Sequence, residues 1–95
     1  MRRFKKRRGI PVEAEQFSGG VSTFEGFPIS TVLTGMGTEY VIHVYSPKET
    51  FIRSIHRGDW LVYYSHNQRW NVLHDEYFSR EYTEITDPLN YLEEL

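Results

Sequence analysis

Between Tyr40 and Leu73 the chain repeats one device: a short run rich in β-branched and aromatic residues, then a turn signal. YVIHVY (40–45) leads into Ser46-Pro47-Lys48-Glu49, and TFIRSI (50–55) leads into Arg57-Gly58-Asp59. WLVYY (60–64) leads into His66-Asn67-Gln68, and RWNVL (69–73) closes the series. Alternation with period two sends successive side chains to opposite faces of a sheet, while Pro, Gly, Asn and Asp supply the turns. Hairpin-linked runs of this kind predict an antiparallel meander. Phe51, Arg53 and Ile55 fall on one face of their strand, with Ile52 and Ser54 on the other. Trp70 and Val72 likewise oppose Asn71 and Leu73. Trp60, Val62 and Tyr64 oppose Leu61 and Tyr63, so both faces of this strand are apolar and it belongs near the sheet centre. One face builds the core. The other is expected to meet short helices or a subunit or partner interface.

The flanks are less regular. IPVEAEQF (10–17) sets Val12 and Ala14 against Glu13 and Glu15, a half-buried strand ended by Gly19-Gly20. Pro28 at a first helical turn and Gly35 as a stop predict a short helix over 28–34, with Ile29, Val32 and Leu33 inward. Asp75 is expected to cap a helical turn at Glu76-Tyr77-Phe78. Arg80–Ile85 reads as a last strand. A second helix over 88–95 would start with Asp87 as cap and Pro88 at the first position. The expected class is α+β: a twisted antiparallel sheet of about five or six strands, open to curling into a half-barrel, with one or two short helices. Residues 1–9 are expected as a basic flexible arm and 10–95 as a single α+β domain.

Composition narrows the chemistry. The 95 residues include no Cys, which removes disulfides, a thiol nucleophile and Cys-based zinc sites. Stability must come from apolar packing, and fifteen aromatic residues are available for it. No apolar run reaches the length of about 18 residues that would span a bilayer, and no membrane partner is expected. The start MRRFKKRR resembles the basic end of a signal peptide, but IPVEAEQF follows where an apolar stretch belongs. The expected location is the cytoplasm of a bacterial host.

Charge is segregated. Arg2, Arg3, Lys5, Lys6, Arg7 and Arg8 crowd the first eight residues without an acid, whereas all thirteen carboxylates lie beyond them. Residues 75–95 hold Asp75, Glu76, Glu81, Glu84, Asp87, Glu93 and Glu94 against Arg80 alone. The basic segment suits phosphate neutralisation, or docking on an acidic tract of its own chain, a neighbour or a partner. The acidic body would repel a nucleic-acid backbone beyond the reach of that arm.

Catalytic signatures are sparse. His43, His56, His66 and His74 form neither HxH nor HExxH, although His and Asp from separate strands could assemble a metal site. Ser65 and His66 are adjacent in sequence and point to opposite faces, so they cannot work as a nucleophile and base. There is no glycine-rich phosphate loop. Asp59, after Gly58, is expected to accept backbone hydrogen bonds inside its turn. Catalytic residues, metal ligands and cofactors are therefore assigned to none. Tyr63, Arg53 and Arg69 suit a protein interface. Exposed rings would also suit base stacking.

Three segments occur in a telling order: Lys5-Lys6-Arg7-Arg8-Gly9-Ile10-Pro11-Val12-Glu13-Ala14-Glu15-Gln16-Phe17, then Gly58-Asp59-Trp60-Leu61-Val62, then Asp75-Glu76-Tyr77-Phe78-Ser79-Arg80-Glu81-Tyr82. Together they resemble a family of small tailed-bacteriophage and prophage proteins. Arg57 stands where that pattern has Pro, and YYSHNQRW (63–70) lacks its glycine-rich hairpin. The resemblance implies phage or prophage origin and an accessory role, with no catalytic residues to transfer. The leading expectation is a non-enzymatic accessory protein that binds and modulates a host or phage protein. Its expected contacts are Tyr63, Arg53, Arg69, Asp75, Glu76, Glu81 and Glu84. One alternative is nucleic-acid or nucleotide binding through Arg2, Arg3, Lys5, Lys6, Arg7 and Arg8 with exposed aromatics. Another is a small metal-dependent hydrolase. Exposed edge strands and complementary charged ends are compatible with a homodimer.

Overall fold

The computed structural model describes residues 1–86. In chain order the elements are β1 (Arg2–Lys6), β2 (Val12–Gln16), β3 (Thr23–Phe24), β4 (Phe27–Thr34), β5 (Gly37–Tyr45), β6 (Thr50–Ile55), β7 (Trp60–Tyr64), β8 (Arg69–Leu73), α1 (Asp75–Glu81) and β9 (Tyr82–Glu84). They form two antiparallel sheets. The first has five strands in the order β8-β7-β2-β1-β9, and the second has four in the order β3-β4-β5-β6. Antiparallel pairing is as expected, but the architecture is mostly sheet, with one short helix among the described residues, and neither sheet closes into a barrel. The expected α+β class with a single sheet is corrected accordingly. The helix expected over 88–95 lies outside the described residues.

The alternation in WLVYY organises the whole packing. Trp60 and Val62 join Phe4, Val12, Ala14 and Phe78 in one buried cluster beneath α1. Leu61 joins Phe17, Ile29, Ile42, Val44 and Ile55 in a second cluster between the two sheets. Adjacent residues of one strand thus serve two cores, so the first sheet is covered on both faces.

The meander is real only in part. The turn signals at 46–49 and 66–68 form β-hairpins, β5 with β6 and β7 with β8. Between β6 and β7 the chain instead changes sheets, and β7 takes β2 as its other neighbour. Two backbone bonds fix this corner: Phe17 N–H donates to the Asp59 carbonyl (2.8 Å) and Gly58 N–H to the Phe17 carbonyl (2.7 Å). Gly58 adopts φ 94°, which a side chain would oppose. Alternation specifies which face a residue takes, and it is silent about which strand lies alongside.

Two further expectations are overturned. Residues 28–34 are strand, not helix: Ile29, Thr31 and Val32 are β-branched, and pairing on both sides by β3 and β5 outweighs the Pro28 and Gly35 signals. Glu25 (φ 50°) and Gly26 (φ 84°) make the tight turn that brings β3 back onto it. The basic segment is not a flexible arm either. It is β1, an interior strand paired with β2 and β9. Phe4 supplies the anchor: it is 6% exposed, with ring centroids 5.1 Å from Trp60 and 4.9 Å from Phe78.

The molecule is elongated, 49 × 28 × 18 Å. Register places Ile29 and Leu33 on one face of β4, yet Ile29 is buried and Leu33 is 84% exposed. The far end of the β4–β5 hairpin therefore extends beyond the sheet that covers its base.

Candidate functional site

The expected contact residues separate into two groups. Arg53, Tyr63 and Arg69 lie where β6 and β8 approach one another. The Arg53 guanidinium donates to Asn71 Oδ1 and stands 4.9 Å over the Phe51 ring. Arg69 Nη1 donates to Glu49 Oε2 at 3.3 Å, and the Tyr63 ring is half-buried, 4.7 Å from Trp70. Arg53 and Arg69 tie the two sheets together at one margin, while Tyr63 packs within the first sheet. Asp75, Glu76, Glu81 and Glu84 lie on α1 and β9, over the opposite face of the first sheet. The structure brings no single patch out of the seven.

Asp75 is not the helix cap that the sequence suggested. His74 occupies that position without a side-chain capping bond, and Asp75 begins the helix itself. Its Oδ1 accepts from the Trp60 indole N–H (2.8 Å), the Ser79 hydroxyl (2.8 Å) and Gln16 Nε2 (3.3 Å). The Trp60 and Ser79 bonds favour the ionised form and hold the carboxyl below its ordinary value of 3.8. A depressed folded-state value stabilises the fold above the unfolded value, and that contribution is lost as pH falls through the folded one. Asp75→Asn should flatten the acid limb of the stability profile below about pH 4. Thermal melts of both proteins from pH 6 to 2 test this, and parallel profiles would refute it.

The basic strand is similarly committed. Arg2 pairs with Glu15 (3.4 Å) and Glu84 (3.5 Å) and stands 5.2 Å over the Trp60 ring. Lys6 donates to the Tyr77 hydroxyl at 3.2 Å, a bond that raises its pKa, and lies 5.4 Å over Tyr82. Burial, followed by the neighbouring Tyr64, pushes the Tyr82 phenol well above its ordinary value. Arg3 and Lys5 belong to β1, while Arg7 and Arg8 form the exposed turn into β2. The basic segment does lie against part of the acidic tract, as a strand paired with β9 rather than as an arm.

Asp59 is the one polar residue buried among those described, at 4% exposure. Its Oδ2 accepts from His56 N–H at 2.8 Å, the turn role read from sequence. Both imidazoles come to it as well, His74 Nδ1 3.1 Å from Oδ1 and His56 Nδ1 3.4 Å from Oδ2. The two rings stand 6.4 Å apart, each directed at its own oxygen of one carboxylate. This cluster pins the β6–β7 corner to His74, the residue just before α1. Sequence reading missed the approach of His56 to His74, because nothing in local spacing links the two turns. His43 lies elsewhere, bonded to Ser30 Oγ at 2.8 Å, and His66 lies 6.2 Å from Tyr64. Among the described residues, no group of three or more His, Asp or Glu side chains is arranged to hold a metal ion.

The least accounted-for surface is the projecting hairpin. Met36 at its tip is 99% exposed, Leu33 84% and Val32 45%. The tip is ordered by Thr34, whose Oγ1 donates to the Gly37 carbonyl (2.9 Å) and accepts from Met36 N–H (3.2 Å). At the hairpin base an open groove of about 320 Å³ is lined by Gly20, Val21, Ser22, Ile29, Thr31 and Tyr40. Its wall is braced by Arg57, whose guanidinium donates to the Ser18 carbonyl and to the Tyr40 hydroxyl (3.0 Å). Gly19, at φ 80°, lets that guanidinium approach, since a Cβ there would lie 2.6 Å from it. From Val21 to Pro47 there is no Lys or Arg, and Glu25 and Glu39 are the acids. Nothing in the sequence warned of this surface, because Val32 and Leu33 read as the buried stripe of a helix.

No helix among the described residues is long and apolar enough to cross a membrane. Comparison with known proteins returns no matching protein family, curated protein or solved structure.

Proposed function

We propose that this chain is a non-enzymatic binding module that engages a protein partner through the tip of its β4–β5 hairpin. The observation that carries the reading is the near-complete exposure of Met36 and Leu33 on an ordered hairpin projecting past its own core. Exposed apolar residues grouped at one place mark interaction sites more often than scattered ones. Methionine adapts its shape to an apolar cleft, and an ordered hairpin presents it at little conformational cost. The absence of cations from residues 21–47 favours a protein cleft over a phosphate backbone. The phage or prophage accessory role suggested by the sequence motifs fits such a module, with a host or phage protein as the partner to be modulated.

The test is affinity capture from infected or lysogenic bacterial lysate, using the full chain and a Leu33→Asp/Met36→Asp variant, with and without nuclease. Truncating or charging a central contact costs about 2 kcal/mol or more, roughly 30-fold in affinity. One protein should be recovered with the native chain despite nuclease and be lost with the variant, while the variant keeps its circular dichroism. Equal recovery by both chains would remove the hairpin from the interface. Recovery abolished by nuclease would turn the assignment to nucleic acid.

A further inference from the structure

The two sheets have four edges among the described residues, and three are closed to pairing by size or chemistry. β3 is two residues long and β9 three, too short to template another strand. β8 is five residues long, but alternate amides along it are already occupied: Trp70 N–H donates to Glu49 Oε1 (3.2 Å) and Val72 N–H to Asn71 Oδ1 (2.9 Å). The fourth edge is β6, six residues long. Among the described residues, no side chain is hydrogen-bonded to its backbone. Ile52 stands on its outer face at 65% exposure.

We infer that β6 pairs with β6 of a second copy of this chain, antiparallel about a two-fold axis at Ile52, joining the four-stranded sheets of two molecules into one of eight strands. The sequence of β6 is complementary to itself in this register. Directly opposed residues share a face, so Ile52 meets the mate's Ile52, and Thr50 meets the mate's Ser54. On the inner face Arg53 meets the mate's Phe51, a ring of the type it already covers at 4.9 Å in its own chain. Moving the axis to Arg53 would set Arg53 directly against Arg53, a like-charge pairing, and moving it to Phe51 would set Ile52 against Thr50 in place of its apolar match. The hairpin tips are not part of this contact, so a dimer presents two of them at once and strengthens attachment to a repeated partner.

Sedimentation of the full-length chain at about 0.1 mM, where an association near ~10 µM is mostly complete, should report a dimer. Ile52→Lys places two like charges on the axis and should weaken dimerisation at least about tenfold, with unchanged circular dichroism and melting temperature. In the native chain, hydrogen-exchange protection of the β6 amides should rise with protein concentration, a readout independent of the variant. Leu33→Asp should leave the dimer intact. A monomeric native chain, or a dimer that survives Ile52→Lys, would overturn the inference. So would β6 protection that appears only when the hairpin's partner is added, which would assign the edge to a strand of that partner.

Discussion

Phe78→Ala should lower the stability of the fold by about 3–5 kcal/mol, a fall in melting temperature of order 20 °C for a domain of this size. Phe78 is 1% exposed and is the single buried residue of α1. Its ring stacks on Trp60 at 4.3 Å and on Tyr82 at 4.7 Å, and meets Phe4 edge-on at 4.9 Å. A helix of seven residues does not persist in water without docking, so removing the ring removes the reason for the helix. The bond from Trp60 to Asp75 depends on that docking and should be lost with it. Near-ultraviolet circular dichroism, to which Trp60 contributes, reports the event directly. Tyr77→Ala, one residue away and at the surface, should cost less than about 1 kcal/mol. Comparable losses from the two substitutions would mean that the aromatic stack does not hold α1 in place.

The second large effect is expected at Asp59. Asp59→Ala strips the acceptor from the part-buried His56 amide bond and releases both imidazoles from the corner where the chain changes sheets. Losing a partner of this kind costs about 1–3 kcal/mol. Asp59→Asn should recover part of the loss, because its carbonyl oxygen can still accept from the His56 amide. Urea unfolding of the three proteins separates the contributions. A stability order in which the amide variant is no better than the alanine variant would assign the effect to charge rather than to the turn. Hydrogen exchange at Phe17 and Gly58 adds a local reading, since their amides close the same corner.

The sequence is most informative where one signal acts alone. WLVYY declares two faces, and Trp60 and Leu61 do go to different cores. TFIRSI sets Phe51, Arg53 and Ile55 on one face and Ile52 and Ser54 on the other, and the half-buried Phe51 and buried Ile55 do lie opposite the exposed Ile52. Gly58-Asp59 declares its turn, down to the backbone bond. Legibility fails where two signals compete. In 28–34 the apolar spacing serves a helix stripe as well as a strand, and Pro28 and Gly35 tip the reading toward the helix that pairing then overrules. In β1 one phenylalanine among four cations decides the outcome, and Phe4 is decisive only because Trp60 and Phe78 arrive from distant segments. The candidate site was hidden by the same error. Once Ile29, Val32 and Leu33 are assigned to one buried stripe, the exposure of the hairpin tip cannot be foreseen.

The pairing of β1 with β9 constrains how the protein is made. Residues 2–6 are synthesised before the rest of the fold, yet one of their two neighbours in the sheet is Tyr82–Glu84, close to the last part described. The hairpin-linked strands β3 to β6 find their partners among residues synthesised just before or after them, and can assemble while translation continues. The five-stranded sheet has no such freedom, and its edge stays open until Glu84 has cleared the exit tunnel. Until then Arg2 has Glu15 but not Glu84, and Lys6 waits for Tyr77, so the charge of β1 is fully compensated only when the last strand docks.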